Sequence, residues 1–226
     1  LTRGKPMDVP TPRGAWLAEP ALAPAGEDAW LAFGAEVDRR WDLYLCRVSP
    51  AGVSEPVPVT RDDAVDVRPA LCTDARGRVW IAWESNRDGD RAIYAASSDD
   101  GRRFSKPERL SPAGSDSYNA SLCWAGAQGV VAAYDSFRDS GSQIYLRSLQ
   151  GGRWQRERQL TASGRLNRHP RLAASGDEVW MAWQSSTFDA ARYTMNSVLQ
   201  QWVHVARVDR GGLQADRDCP RFRHLG

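Results

Sequence analysis

The sequence predicts an all-β fold assembled from four copies of one unit, and three observations carry that prediction. First, the chain repeats itself: EPALAPAGEDAWLAF from Glu19, RPALCTDARGRVWIAW from Arg68, NASLCWAGAQGVVAAY from Asn119 and HPRLAASGDEVWMAW from His169 align, their starts about 50 residues apart. Second, segments such as VWIAW and WDLYLCRV alternate apolar and polar residues with a period of two, are rich in branched and aromatic side chains, and end in Gly, Asp, Ser or Pro. Third, no long stretch carries the 3.6-residue period of a helix. Four short strands in a unit of about 50 residues is the pattern of a β-propeller blade.

The units run over approximately 12–60, 61–111, 112–161 and 162–216, within one domain spanning 1–226. Leu22, Leu71, Leu122 and Leu172 share one slot, and Phe33, Trp83, Tyr134 and Trp183 share another. The tryptophans Trp30, Trp80, Trp83, Trp180 and Trp183 are expected in the second strands, where they bury inter-blade surface. Tyr44, Tyr94, Tyr145 and His204 occupy a common place in the third strand, which reads as blade core. Each unit but the last closes on a matched pair: Val59–Thr60, Leu110–Ser111 and Leu160–Thr161. Leu1–Thr2 has the composition of such a pair belonging to a preceding unit. Four visible blades fit a latched ring of four or five, or part of a larger ring. The last unit also carries an insertion over 186–201, between its second and third strands.

Composition removes several classes of function. The chain has 226 residues, 42% of them hydrophobic, which is enough for an ordinary core. A net charge of +2 gives no field for nucleic acid. No apolar run approaches the ~20 residues that span a bilayer, so no direct membrane span is expected. An extracytoplasmic location, periplasmic or secreted, is expected on the assumption of an upstream export signal. The four cysteines, Cys46, Cys72, Cys123 and Cys219, form no C-x-x-C pair, so they read as core thiols, with one or two disulfides open in an oxidising compartment. His169, His204 and His224 are scattered, and neither a metal nor a cofactor is expected.

The octapeptide SSDDGRRF places Ser97, Asp99, Gly101 and Phe104 at the spacing S-x-D-x-G-x-x-F. This stretch resembles the Asp-box of the sialidase-like, or BNR-repeat, β-propellers. The resemblance implies a structural hairpin in which Ser and Asp bond nearby amides, Gly adopts positive φ and the aromatic plugs the blade. It also implies that the turn lies opposite the face where ligands bind.

On that other face, the loop residues just before each first strand differ while their neighbours repeat: Glu19, Arg68, Asn119 and His169. With Tyr118 and Arg168 they form the candidate ligand-binding set. A sialidase-like hydrolase needs an arginine cluster, a Tyr–Glu pair and an acid/base Asp. Arg68–Pro69 is explained by the repeat, since Pro20 and Pro170 fill the same slot, and Glu84 has Asp135 and Gln184 as its counterparts. No catalytic residue is therefore assigned. The sequence-based expectation is a non-catalytic binding or scaffolding module, a subunit of a larger assembly, contacting a protein through the loop face or the 186–201 insertion. The alternative is a glycan-binding or sialidase-like glycoside hydrolase propeller.

Overall fold

The structure, a computed structural model, describes residues 5–139, 141–162, 164–188, 198–209 and 212–214. Four antiparallel sheets follow one another along the chain. Sheet 1 holds β1 (Trp16–Ala25), β2 (Asp28–Val37), β3 (Arg40–Ser49), β4 (Gly52–Val53) and β5 (Val57–Pro58). Sheet 2 holds β6 (Val67–Thr73), β7 (Val79–Ser85), β8 (Ala92–Ser98) and β9 (Glu108–Arg109). Sheet 3 holds β10 (Asp116–Trp124), β11 (Val130–Arg138), β12 (Gly141–Gln150), β13 (Arg153–Trp154) and β14 (Arg158–Gln159). Sheet 4 holds β15 (Leu166–Ser175), β16 (Glu178–Phe188), β17 (Val198–Asp209) and β18 (Gly212–Gln214). A 3-10 turn, Gly126–Gln128, is the one helical segment among the described residues. None is long and apolar enough to cross a membrane.

The period of two explains why the sheets stack. Alternate side chains leave opposite faces of a strand, so an apolar residue at every position of a strand supplies two packing faces. In sheet 1, Ala23, Ala32, Leu43 and Leu45 leave one face and meet Leu71, Ile81, Trp83 and Tyr94 of sheet 2. Sheet 2 turns Cys72, Ala82, Ile93 and Ala95 the other way, onto Leu122, Val130, Tyr134 and Tyr145 of sheet 3. Sheet 3 does the same with Val131, Ala133, Ile144 and Leu146 against Val179, Met181 and Val208 of sheet 4. We call these the trailing face of one blade and the leading face of the next. First strands β1, β6, β10 and β15 pack side by side in that order, so they line the inner edge of the propeller. Among the described residues no packing of this extent joins the elements of sheet 4 to those of sheet 1.

The matched pairs are the joints between blades. Leu43, Ile93 and Ile144 donate their amides to the hydroxyls of Thr60, Ser111 and Thr161 at 2.9–3.0 Å. Their carbonyls accept from the amides of Val59, Leu110 and Leu160. A side-chain oxygen and a backbone N–H thus satisfy both groups of an edge residue. Leu1 and Thr2 lie outside the described residues. By register the slot before sheet 1 belongs to Pro10–Thr11, because Thr11 precedes Glu19 by the same eight positions that separate Thr60 from Arg68, Ser111 from Asn119 and Thr161 from His169.

The turn at 97–104 is a hairpin, and Gly101 has φ +69° with Phe104 packed on the core between sheets 1 and 2. Its hydrogen bonds run one residue later than the resemblance implies. Asp100 accepts the amides of Arg102 and Arg103, Ser98 accepts that of Gly101, and Asp99 pairs instead with Arg78 at 2.6 Å. Ser97 is buried and donates its amide to the hydroxyl of Ser105. Cys46, Cys72 and Cys123 are free buried thiols, while Cys219 and residues 189–197 of the insertion lie outside the described residues.

Candidate functional site

Every first strand breaks register once, between Ala18 and Ala21, Val67 and Ala70, Tyr118 and Ser121, and Arg168 and Arg171. The bulged residues are Glu19, Arg68, Asn119 and His169, with φ of 42°, 55°, 55° and 54°. Left-handed backbone at a non-glycine residue costs on the order of 1 kcal/mol, and here it recurs at one slot with four different side chains. The bulge aims each side chain to the rim of the inner edge.

Two buried carboxylates hold this backbone across the blade boundary. Glu84 Oε1 accepts the amide of Asn119 at 2.8 Å, and Asp135 Oδ1 accepts the amide of His169 at 2.9 Å. Glu84 and Asp135 occupy the same place in β7 and β11, opposite Ile93 and Ile144. Gly34 and Gln184 fill it in sheets 1 and 4. Glu84 also binds Arg68 at 3.2 Å and Arg91 at 3.3 Å, and Arg68 reaches Glu19 at 2.7 Å. Asp135 accepts in addition from Asn119 Nδ2 at 2.9 Å. Burial pushes the Asp135 carboxyl above its usual range, and the His169 amide and Asn119 only partly offset this.

The six residues expected from sequence fall into two adjoining clefts that share Asn119. One, of about 360 Å³, is lined by Glu19, Arg68 and Asn119 with the prolines and leucines of the first strands. The other, of about 390 Å³, gathers Tyr118, Asn119, Arg168 and His169 over Asp135, with Asp116, Phe137 and Ser142 on its wall. Arg91 lies over the Tyr118 ring, 5.7 Å from its centre. Burial, with Asp116 adding, raises the pKa of the Tyr118 hydroxyl. Both clefts are of ordinary small-ligand size.

Sequence reasoning missed Asp135, Asp116 and Arg91 as members of this site. The signal was present in the counterpart slot Glu84–Asp135–Gln184, where the repeat changes type while its neighbours do not. The Arg-Asp dipeptides Arg87–Asp88 and Arg138–Asp139, which recur after the second strands, reach partners distant in sequence. Arg87 binds Asp66 and Asp62, Arg138 binds Glu157, and Asp88 takes Arg109. Among the described residues no group of three His, Cys, Asp or Glu is placed to hold a metal ion.

The chain matches no protein-family model and no curated protein sequence. Solved structures do match it. An alpha-L-arabinofuranosidase from Lactobacillus brevis is 12% identical with a TM-score of 0.61, the match covering 88% of this chain and 76% of the enzyme. A ulvan lyase, solved with its glycan bound, is 10% identical with a TM-score of 0.61 over 86% of this chain and 56% of its own. A neuraminidase-like protein of a little yellow-shouldered bat isolate is 13% identical with a TM-score of 0.53 over 84% and 59%. At such identities the likeness is one of fold. It corrects the expectation that the protein is not an enzyme, since the structures that share this architecture include glycoside hydrolases and a polysaccharide lyase. The chain thus has the β-propeller fold found in these carbohydrate-active enzymes.

Proposed function

We propose that the protein is a glycan-active enzyme that hydrolyses a glycosidic bond outside the cytoplasm, in the cleft between sheets 3 and 4. The observation that carries this reading is Asp135: a buried carboxyl on the cleft wall whose pKa burial raises, surrounded by Tyr118, Asn119, Arg168 and His169. Both of its hydrogen bonds fall on Oδ1, which leaves Oδ2 to carry a proton. A carboxyl whose pKa burial raises is the kind of group that can protonate a glycosidic oxygen as it leaves. Asp116 supplies the second carboxylate of the cleft, the role that completes a hydrolase pair. Arg168 and Asn119 offer donors for sugar hydroxyls or a sugar carboxylate, and Tyr118 offers a ring on which a sugar can stack. The fold-level likeness to an arabinofuranosidase and a ulvan lyase supports the substrate class.

The test is turnover of a panel of aryl glycosides and of neutral and uronate polysaccharides, read by reducing-end release. Wild type is expected to release sugar from at least one member. Asp135→Asn is expected to lose about 100-fold or more, with its far-UV spectrum unchanged. A panel without turnover at high enzyme concentration, or an unimpaired Asp135→Asn variant, would overturn the reading. Unsaturated rather than saturated products would replace hydrolysis by elimination.

A further inference from the structure

Sheet 4 shows to solvent the face that the other three sheets bury. Leu43 and Leu45, Ile93 and Ala95, Ile144 and Leu146 are all at most 4% exposed on their trailing faces. Their counterparts by register are Val203, opposite Gln184, and Val205, opposite Ala182, and these are 84% and 51% exposed. The edge beyond them is also unlike the others. Tyr44–Leu45, Tyr94–Ala95 and Tyr145–Leu146 each pair with a short outer strand, at Val57–Pro58, Glu108–Arg109 and Arg158–Gln159. In sheet 4 the outer strand β18 pairs only with Arg207–Asp209, leaving His204 and Val205 without such a partner among the described residues.

The chain carries the missing piece at its other end. Counting back from the bulge, Pro58, Arg109 and Gln159 stand ten positions before Arg68, Asn119 and His169, and Val9 stands ten before Glu19. Asp8–Val9 is therefore the outer-strand pair, and Thr11 the joint hydroxyl, of a blade that would precede sheet 1. Residues 5–8 and Thr11 are exposed and belong to no strand, while Val9 and Ala15 rest on the leading-face cluster of sheet 1. On that leading face Leu22 remains 66% exposed, although the equivalent Leu71 and Leu122 are buried, and Leu17 is 53% exposed where the equivalent Asp66 and Ser117 are buried.

We propose that the fourth blade of one copy accepts residues 8–22 of a second copy, head to tail. Asp8–Val9 adds as the outer strand along His204–Val205, and Thr11 Oγ1 takes the amide of Val203, as Thr60, Ser111 and Thr161 do for their own blades. Pro10 lacks the N–H that Val59, Leu110 and Leu160 donate, so this joint makes one bond fewer. Leu17 and Leu22 cover the face below Val203 and Val205. Gln184 accepts the amide of the second copy's Glu19, in the way Glu84 and Asp135 accept those of Asn119 and His169. The second copy thereby brings Glu19 beside His169 and continues the row of rim residues. Among the described residues the segment is seated on sheet 1, and no extended packing joins sheet 1 to sheet 4, so the partner of sheet 4 is assigned to a second copy and not to the segment of the same chain. The contact joins unlike surfaces, so copies close into a ring or extend as a chain.

The experiment places cysteines at the paired positions, Asp8→Cys with Val205→Cys, in a Cys219→Ser background, and runs the oxidised protein on a non-reducing gel. Cross-linked species at multiples of 25.1 kDa that collapse on reduction are expected. A disulfide within a single 25.1 kDa chain, or none, would overturn the proposal. Light scattering gives an independent reading: the unmodified chain is expected at a multiple of 25.1 kDa, and Val203→Asp at 25.1 kDa with an unchanged far-UV spectrum. An unmodified chain that stays at 25.1 kDa at every concentration tested would equally overturn it. The outcome is independent of whether the cleft turns over a glycan.

Discussion

Replacing Gly101 with alanine tests the docking of sheets 1 and 2 through a single methyl group. Gly101 sits at φ +69°, and a Cβ there would stand 2.6 Å from Trp30 Cζ3 and 3.1 Å from its Cζ2. Trp30 is itself buried in the core between the two sheets, so the ring has little room to retreat. The backbone alone should cost about 1–2 kcal/mol, because an L-residue in the left-handed region crowds its own carbonyl. Forcing a carbon into a packed aromatic adds about 1–3 kcal/mol. A total of about 3 kcal/mol corresponds to a fall in Tm of about 6–12 °C for a chain of this length. Urea and thermal melts followed by tryptophan fluorescence measure it. Trp30→Leu removes the obstructing ring, so in that background Gly101→Ala should cost only the backbone part, a coupling of about 1–3 kcal/mol. A loss below about 1 kcal/mol, or an equal loss in both backgrounds, would refute the packing described at this turn.

Two further outcomes follow from the buried carboxylates. Glu84→Ala removes the acceptor of the Asn119 amide and leaves that N–H uncompensated; because Arg68 and Arg91 keep partial access to water, the expected loss is about 2–3 kcal/mol, with Glu84→Gln recovering roughly half, both read from urea midpoints. Asp135 has a folded-state pKa above its unfolded value, so the folded protein binds the proton more tightly and wild type loses stability as pH rises from about 4 through that raised pKa. Asp135→Asn has no charge to bury, and the stability difference in its favour should grow over that window and then level off. A difference independent of pH would show that Asp135 is not held by burial.

Much of this architecture is written in the sequence because the repeat samples each position four times. Leu71, Leu122 and Leu172 align for the same reason that they pack, and Phe33, Trp83, Tyr134 and Trp183 mark the second strand of each sheet. The variable slot Glu19, Arg68, Asn119, His169 was legible as a rim, but its left-handed backbone was not, since none of the four is glycine. Glu84 and Asp135 were legible as counterparts in one slot but not as buried acceptors, because a carboxylate inside a strand reads as an exposed residue until its role across a blade boundary is seen. The hairpin at 97–104 shows the opposite limit: SSDD offers two Ser and two Asp one residue apart, and only geometry selects Ser98 and Asp100 over Ser97 and Asp99. The joint at Pro10–Thr11 was hidden by Leu1–Thr2, whose composition fits better while its distance from Glu19 does not.

The carboxylate clasps across the sheet boundaries have a bearing on how the rim could change over time. Asn119 is shaped by sheet 3 yet anchored by Glu84 of sheet 2, and His169 by sheet 4 yet anchored by Asp135 of sheet 3. Each clasp takes its neighbour's main-chain amide and is blind to the side chain that this amide carries, but Glu84 also holds the Arg68 side chain and Asp135 that of Asn119. Mutation can therefore exchange the side chain at His169 without loosening the amide bond beneath it, whereas exchange at Arg68 or Asn119 removes a partner from a buried carboxylate. Duplication of a unit, by contrast, must copy a clasp and its neighbour's amide in step, or leave one buried carboxylate with nothing to hold.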